Sequence, residues 1–384
     1  MKQVIKSVLR SISPKIPLKN IILFESIPDL NCNTYPVFKK MIEEQLNNKY
    51  KMVWLVNNKN KYKNLKIKNV KFINFSPDNF FEKIHLIYLL TFSKGVIFSN
   101  RITSKINKNQ FRIFLGHGSL IKKSRGVYEI GDNCNYMLNQ SEFFKNINSY
   151  EFNINSDNLI CLGYPRNDYL FKSKDVISLL KKDVFDKFIV WLPTFRQHKK
   201  GLKDTNISFN YGIPILESEQ DFKDLNDYLQ EQNILLILKP HPSQDLSYIK
   251  TIEFSNFLFI DDDLLCNLNI HLYELLAQSD ALITDYSSVY YDYLLLDKQI
   301  GLTIDDINNY SKGRGLVFEN VFDILKGEYI NNFEDMLMFI KNVKNNKDIY
   351  KKERDRIKNL TNYFQDGKSA ERVVEFIINE LDKI

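Results

Sequence analysis

The chain predicts an α/β protein made of two doubly wound, parallel-sheet domains facing each other across a cleft. Three observations carry that expectation. Short apolar runs, often β-branched, recur along the chain, as strands buried on both faces do. They alternate with helical or polar stretches, which argues for parallel sheets in α/β layers. They also fall into two series, and 384 residues suit two domains better than one.

In order, the first series is 21–24, 52–56, 70–75, 96–98, 112–115 and 159–162. The second is 188–192, 234–238, 257–260, 281–284 and 300–303. The polar, lysine-rich stretch 169–185 reads as the bridge between them. This sets a first domain over 1–175 and a second over 176–365. A helix over 366–384 follows, with Ala370, Val373, Val374, Ile377, Ile378 and Leu381 on one stripe, and is expected to cross back to the first domain. At the other end, Val4, Ile5, Val8, Leu9 and Ile12 share a helical face ringed by Lys2, Lys6, Arg10, Lys15 and Lys19. Residues 1–19 therefore read either as a basic amphipathic helix lying on anionic lipid or as a helix packed on the body of the protein.

Charge and cysteine content narrow the function classes. Lysine plus arginine number 53 against 47 acidic residues, a surplus of +6. That suits an anionic substrate or membrane surface and does not call for nucleic acid. Cys32, Cys134, Cys161 and Cys266 are widely spaced, so neither a disulfide framework nor a zinc site is expected and a reducing cytoplasm is the default. No secretory signal and no apolar window of about 18 residues appear, so no membrane span is expected. GxGxxG, P-loop and HExxH patterns are missing, so no dinucleotide, metal or other cofactor is called for.

Ligands of doubly wound sheets bind beyond the carboxyl ends of strands, and four polar residues stand there: His117, Arg196, His241 and Asp285. The run 281–284 leads into Asp285-Tyr286-Ser287-Ser288 and then an expected amphipathic helix. Free N–H groups and two hydroxyls at such a helix start can dock a phosphate, although Asp and Ser are also ordinary caps. His117 sits between Gly116 and Gly118, which leaves its imidazole accessible. Titrating near ~6.5, a histidine can accept a hydroxyl proton at neutral pH. Pro240 and Pro242 stiffen the turn around His241, and Arg196 and Arg314 are suited to forked phosphate recognition. His85, His198 and His271 read as structural or surface residues.

Together these segments resemble the CDP-glycerol glycerophosphotransferase family. His117-Gly118-Ser119 with Lys122 is similar to its HGT…K motif, and Gly163-Tyr164-Pro165-Arg166-Asn167-Asp168 to its GYPRND, the most specific string. Pro193-Thr194-Phe195-Arg196 resembles PTWR, His241-Pro242 its HP, and Thr284-Asp285-Tyr286-Ser287-Ser288 with Asp292 its TDYSSxxxD. Asp306, Tyr310 and Arg314-Gly315 resemble the closing D…Y…RG, and Glu25-Ser26 with Asn31-Cys32-Asn33 the first strand and loop. The chain departs from the family at Gly116, Leu120-Ile121 and Phe195.

The resemblance implies a GT-B fold of two Rossmann-like domains, with the nucleotide mostly on the second and the acceptor on the first. It implies a metal-independent transferase moving glycerol phosphate from CDP-glycerol to a hydroxyl of a lipid-linked glycan or growing teichoic-acid-like or capsule polymer, with release of CMP. Its place would be peripheral, on the cytoplasmic face of the bacterial membrane. His117 is expected as the base and His241 as its catalytic partner. Gly118, Ser119, Lys122, Arg166, Asn167, Asp168, Thr194, Arg196, Pro242, Thr284, Asp285, Ser287, Ser288, Asp292 and Arg314 are expected to bind substrate. Alternatives are a CDP-ribitol donor, a GT-B glycosyltransferase or epimerase using a UDP-sugar, or a non-catalytic binder of membrane or nucleic acid.

Overall fold

The computed structural model describes residues 10–126, 130–180, 184–194, 211–240 and 254–384. It divides into two compact units. The first comprises Met1–Ser119, Ser124–Asp168 and Tyr363–Ile384; the second comprises Leu120–Lys123 and Tyr169–Asn362. The division thus falls at 168/169, not 175/176, because Tyr169 already stacks on His271 of the second unit at 4.0 Å.

The first unit is a seven-stranded parallel sheet in the order β3-β2-β1-β4-β5-β6-β7. Its strands are β1 (Lys19–Glu25), β2 (Lys51–Val56), β3 (Val70–Asn74), β4 (Ser93–Phe98), β5 (Phe111–Phe114), β6 (Tyr136–Asn139) and β7 (Leu159–Cys161). Three helices are α1 (Thr34–Glu43), α2 (Phe80–Phe92) and α3 (Lys145–Phe152). β6 was not expected from sequence: four residues, two of them Tyr136 and Asn139, give too weak an apolar run to stand out. The order reverses between β1 and β4, and it is beyond the carboxyl ends of the strands at such a switch point that sheets of this kind bind ligands.

Phe24 of β1, Trp54 of β2 and Phe38 of α1 form one aromatic cluster, with ring centres 5.3–5.5 Å apart. The C-terminal helix, Ser369–Asp382, adds Val373, Val374, Ile377 and Leu381 to the same core. Each such side chain contributes about 1.5–3 kcal/mol by leaving water. The helix start fits tightly. A Cβ on Gly163, whose φ is +77°, would meet Ser369 Oγ at 2.5 Å, so the glycine is required.

The second unit holds a six-stranded parallel sheet, β10-β9-β8-β11-β12-β13. Its strands are β8 (Lys187–Trp191), β9 (Ile234–Leu238), β10 (Phe257–Phe259), β11 (Ala281–Thr284), β12 (Gln299–Leu302) and β13 (Glu328–Tyr329). Its helices include α4 (Glu219–Gln232), α5 (Leu272–Gln278), α6 (Val289–Tyr293), α7 (Ile307–Gly313) and α8 (Phe333–Lys344). Here the switch point lies between β8 and β11. β13, two residues long, left no readable signal in the sequence.

Two expectations are corrected. The helix after Ser288 is not amphipathic: all five residues of α6 are buried, and a single 3-10 turn, Leu294–Leu296, continues it. Tyrosine hides its ring and keeps its hydroxyl satisfied, which a hydropathy pattern misreads as a polar face. Tyr290 donates to Ile324 O at 3.0 Å, and Tyr293 shares a 2.8 Å hydrogen bond with Ser279. At the other end, Lys19 already belongs to β1, and Ser13–Lys15 is a 3-10 turn, so an amphipathic helix does not run through to 19. Most of that expected helix, 1–9, lies outside the described residues.

Candidate functional site

In the first unit the site is built around the turn that follows β5. Gly116 and Gly118 take φ of +62° and +134°, conformations that glycine adopts without steric cost. His117 between them is exposed. Asn33, fully buried at the start of α1, donates from Nδ2 to Leu115 O and Gly116 O, both at 3.1 Å. Its Oδ1 accepts from Arg166 N at 3.1 Å. Arg166 in turn donates from Nη1 to His117 O at 2.6 Å. One asparagine and one arginine, from distant loops, thus fix both sides of the histidine turn.

Around this lie further buried polar groups. Ser119 donates to Gln140 Oε1 at 2.6 Å. Glu25, at the end of β1, accepts from Asn100 N and Arg101 N at 3.0 and 2.9 Å. Burial raises the Glu25 carboxyl, against the pull of those N–H groups. Thr34 and Ser99 hydroxyls meet at 2.7 Å across the β1–β4 switch point. Asp168 accepts from Ser369 N and Ala370 N at 2.8 and 2.7 Å, holding the start of the C-terminal helix, and burial raises its carboxyl too. Asn167 is buried, with its N–H on Tyr164 O. Of the Arg166-Asn167-Asp168 string, Arg166 is the member bonded to the histidine turn.

In the second unit the expected residues gather at the β8/β11 switch point. Fully buried Asp285 accepts from Thr194 N at 2.9 Å and Thr194 Oγ1 at 3.1 Å. Thr284 donates to Leu192 O at 3.0 Å. The ends of the two strands are therefore tied together, with Ser287 and Ser288 half-exposed beside them. Ser288 precedes α6 and makes no side-chain cap hydrogen bond. Asp292, fully buried, accepts from Tyr273 OH at 2.6 Å, so its carboxylate braces α5 against α6. Tyr286 donates to Asp306 at 3.0 Å, and its ring stacks on Tyr310 at 4.0 Å.

The short segment Leu120–Lys123, just after the histidine turn, belongs to this second unit. Val317 N donates to Ile121 O at 2.9 Å and Lys123 N to Gly315 O at 3.2 Å. Arg314 donates from Nη1 to Lys123 O at 2.6 Å. Lys122 places its ammonium 6.0 Å from the Tyr310 ring centre. Lys122, Arg314, Tyr310 and Tyr286 therefore form one cluster leading back to the 285–288 turn. Arg196, His241 and Pro242 lie outside the described residues.

Sequence reasoning did not give Asn33 or Glu25 a role. Asn33 appeared as part of a motif string, but its partners lie 82 and 83 residues away. Among the described residues no group of three or more His, Cys, Asp or Glu side chains is placed to hold a metal ion.

Comparison with known proteins decides the family. The model of the CDP-glycerol:poly(glycerophosphate) glycerophosphotransferase family matches residues 9–379. The chain belongs to that family. Among family relatives, the teichoic acid glycerol-phosphate primase of Bacillus subtilis (strain 168) is 29% identical over 327 residues, covering 77% of each chain. The teichoic acid poly(ribitol-phosphate) polymerase of Bacillus spizizenii is 27% identical over 297 residues. That match takes in 71% of this chain and 44% of the polymerase, so the chain spans under half of that relative's length. The solved structure of the wall teichoic acid polymerase TagF superposes with a TM-score of 0.76 at 20% identity, over 98% of this chain and 93% of that one. This glycerophosphotransferase family member thus has the GT-B-like fold, two doubly wound parallel sheets, expected from its sequence.

Proposed function

We propose that the protein transfers glycerol phosphate from CDP-glycerol to a hydroxyl of a lipid-linked glycan or growing polymer, releasing CMP. The observation that carries this is His117, exposed on a glycine-flanked turn at the carboxyl end of a parallel strand and fixed by Asn33 and Arg166. An alcohol is a weak nucleophile at neutral pH. His117 takes its proton as the acceptor oxygen attacks the glycerol-bearing phosphorus. The new O–P bond forms while the bond from that phosphorus to the CMP oxygen breaks, and CMP leaves with the electron pair. Positioning and charge stabilisation dominate such transfers. Thr284, Ser287 and Ser288 are assigned to the donor pyrophosphate, and Arg196, His241 and Arg314 to the charge that develops on it. Lys122 and Ser119 are assigned to substrate binding. Membership of the family supports this reading, as does the capture of TagF, which has the same fold, after soaking with CDPG.

The protein is further proposed to work from the inner face of the cytoplasmic membrane, as a peripheral enzyme. Among the described residues no helix is long and apolar enough to cross a membrane. The supporting feature is α2, which exposes Phe80, Phe81, Ile84, Ile87 and Tyr88, with Phe81 81% exposed. Spacings of three and four put these on one face, a contiguous apolar patch of the kind that lies in a lipid interface.

A ribitol donor is the second reading, because relatives named for ribitol phosphate stand beside those named for glycerol phosphate. The deciding experiment offers purified protein CDP-glycerol, CDP-ribitol and UDP-sugars in parallel, with a lipid-linked glycan acceptor, and measures nucleotide release. CMP from CDP-glycerol is expected. CMP from CDP-ribitol alone moves the assignment to the second alcohol, and UDP release alone overturns it.

A further inference from the structure

The first unit has a cavity of about 610 Å³ beside the amino ends of β5 and β6. Its lining includes Arg10, Lys105, Lys108, Asp132, Asn133 and Asn135, three cations against one carboxylate. It is not the histidine site. Lys105 and Lys108 precede β5 and His117 follows it, so four strand residues, roughly 13 Å, separate the two ends.

Lys105 is half-buried, while Arg10 and Lys108 are exposed. Lys105 donates from Nζ to Asn135 Oδ1 at 3.0 Å, and Arg10 donates to Lys105 O at 3.4 Å. Behind them Arg112 is fully buried. Its guanidinium donates to Thr103 O and Oγ1 at 2.8 and 2.7 Å. None of Arg10, Lys105, Lys108 and Arg112 has a carboxylate within ion-pair distance among the described residues. Burial, and then the charge of Arg112, pulls the Lys105 pKa below its ordinary value. An anion in the cavity would relieve both. Asn133 and Asn135 already use their side-chain oxygens on Lys105 N and Nζ, so these amides have N–H donors left to offer.

We propose that this cavity is a second anion site, which binds a phosphate group carried on a small polar organic moiety. Arginine and lysine around one space match the several oxygens of a phosphate. The volume exceeds what a bare ion needs and falls within the range of small-molecule sites. The site owes nothing to the transfer reading. The same chemistry belongs to a soluble phosphate ester and to an anionic lipid head group, so the test has an arm for each.

The full chain is titrated by calorimetry with glycerol 3-phosphate, and separately co-sedimented with vesicles of phosphatidylcholine alone or mixed with phosphatidylglycerol. Wild type is compared with Lys108→Glu, an exposed position that leaves the core untouched, and with Lys105→Gln. Binding to one of the probes is expected to weaken about tenfold or more in both variants, the size of losing a charge-assisted hydrogen bond. CMP release is expected to stay unchanged in Lys108→Glu. A soluble ester that binds and is lost in the variants identifies a free phosphate ligand. Loss confined to phosphatidylglycerol vesicles identifies a head group. Wild-type affinity for both probes in both variants, or no binding by wild type, overturns the site.

Discussion

Arg166 Nη1 lies 2.6 Å from the backbone carbonyl of His117, so the arginine of the Gly163–Asp168 string holds the main chain of the histidine turn. A charged donor on a carbonyl contributes about 1.5–3 kcal/mol. Its loss lets the imidazole drift from the position in which, as the proposed base, it would take the acceptor's proton. Arg166→Ala is therefore expected to lower kcat about ten- to a hundredfold with the donor KM little changed. His117→Ala should cost about 10²–10⁴-fold while CDP-glycerol binding persists. Steady-state CMP release and donor calorimetry check both. Near-wild-type turnover in His117→Ala removes the base assignment.

Asn33 gives a second, sharper case. Its amide donates to two carbonyls and accepts one N–H, a pattern no other side chain of its size reproduces except glutamine with a different reach. Asn33→Asp keeps the shape and turns an acceptor toward Leu115 O and Gly116 O. Unsatisfied buried groups cost about 1–3 kcal/mol each. The aspartate variant should lose both thermal stability and kcat, and should lose less of each at low pH, where the carboxyl can carry a proton and donate. A kcat deficit in Asn33→Asp that ignores pH would show that the turn does not depend on the donor.

How much of this was readable in the sequence depended on distance along the chain. Strands other than β6 and β13 declared themselves as apolar runs, and residues after strands as the polar group that follows. His117 and Asp285 were found that way, and the structure puts both just past strand ends; Arg196 and His241, found by the same reasoning, lie outside the described residues. What escaped was anything whose meaning lies in a remote partner. Asn33 is an ordinary helix-start residue until Gly116 meets it, and Asp168 reads as a motif letter until its oxygens cap Ser369 and Ala370. Tyr290 and Tyr293 of α6 misled in the opposite direction, since their hydroxyls look solvated and are internally bonded.

Glu25 makes stability depend on pH. Burial raises its carboxyl above the ordinary 4.5, so the folded chain binds that proton more tightly than the unfolded chain does. The native state then holds the extra proton, and stability from this group is greatest at acid pH and falls as pH rises through the raised value. Glu25→Gln cannot ionise. The difference in unfolding free energy, variant minus wild type, should rise between about pH 4 and about pH 8. Urea titrations of both proteins across that range check it, and a difference that stays flat rejects the account.

The α2 patch yields the last prediction. Phe80 and Phe81 stand 69% and 81% exposed at the start of the helix and touch each other edge to face at 6.0 Å. Rings so placed add little to the folded core, so replacing them should leave the melting temperature near wild type. In a lipid interface each would leave water, worth about 1.5–3 kcal/mol. The pair Phe80→Ser, Phe81→Ser should therefore weaken co-sedimentation with vesicles at least about tenfold. Turnover on a soluble acceptor analogue should be unaffected, while turnover on acceptor embedded in vesicles should fall in step with binding. Unchanged vesicle binding would move membrane contact away from α2, and a matched loss on the soluble acceptor would make the two rings part of the transfer machinery.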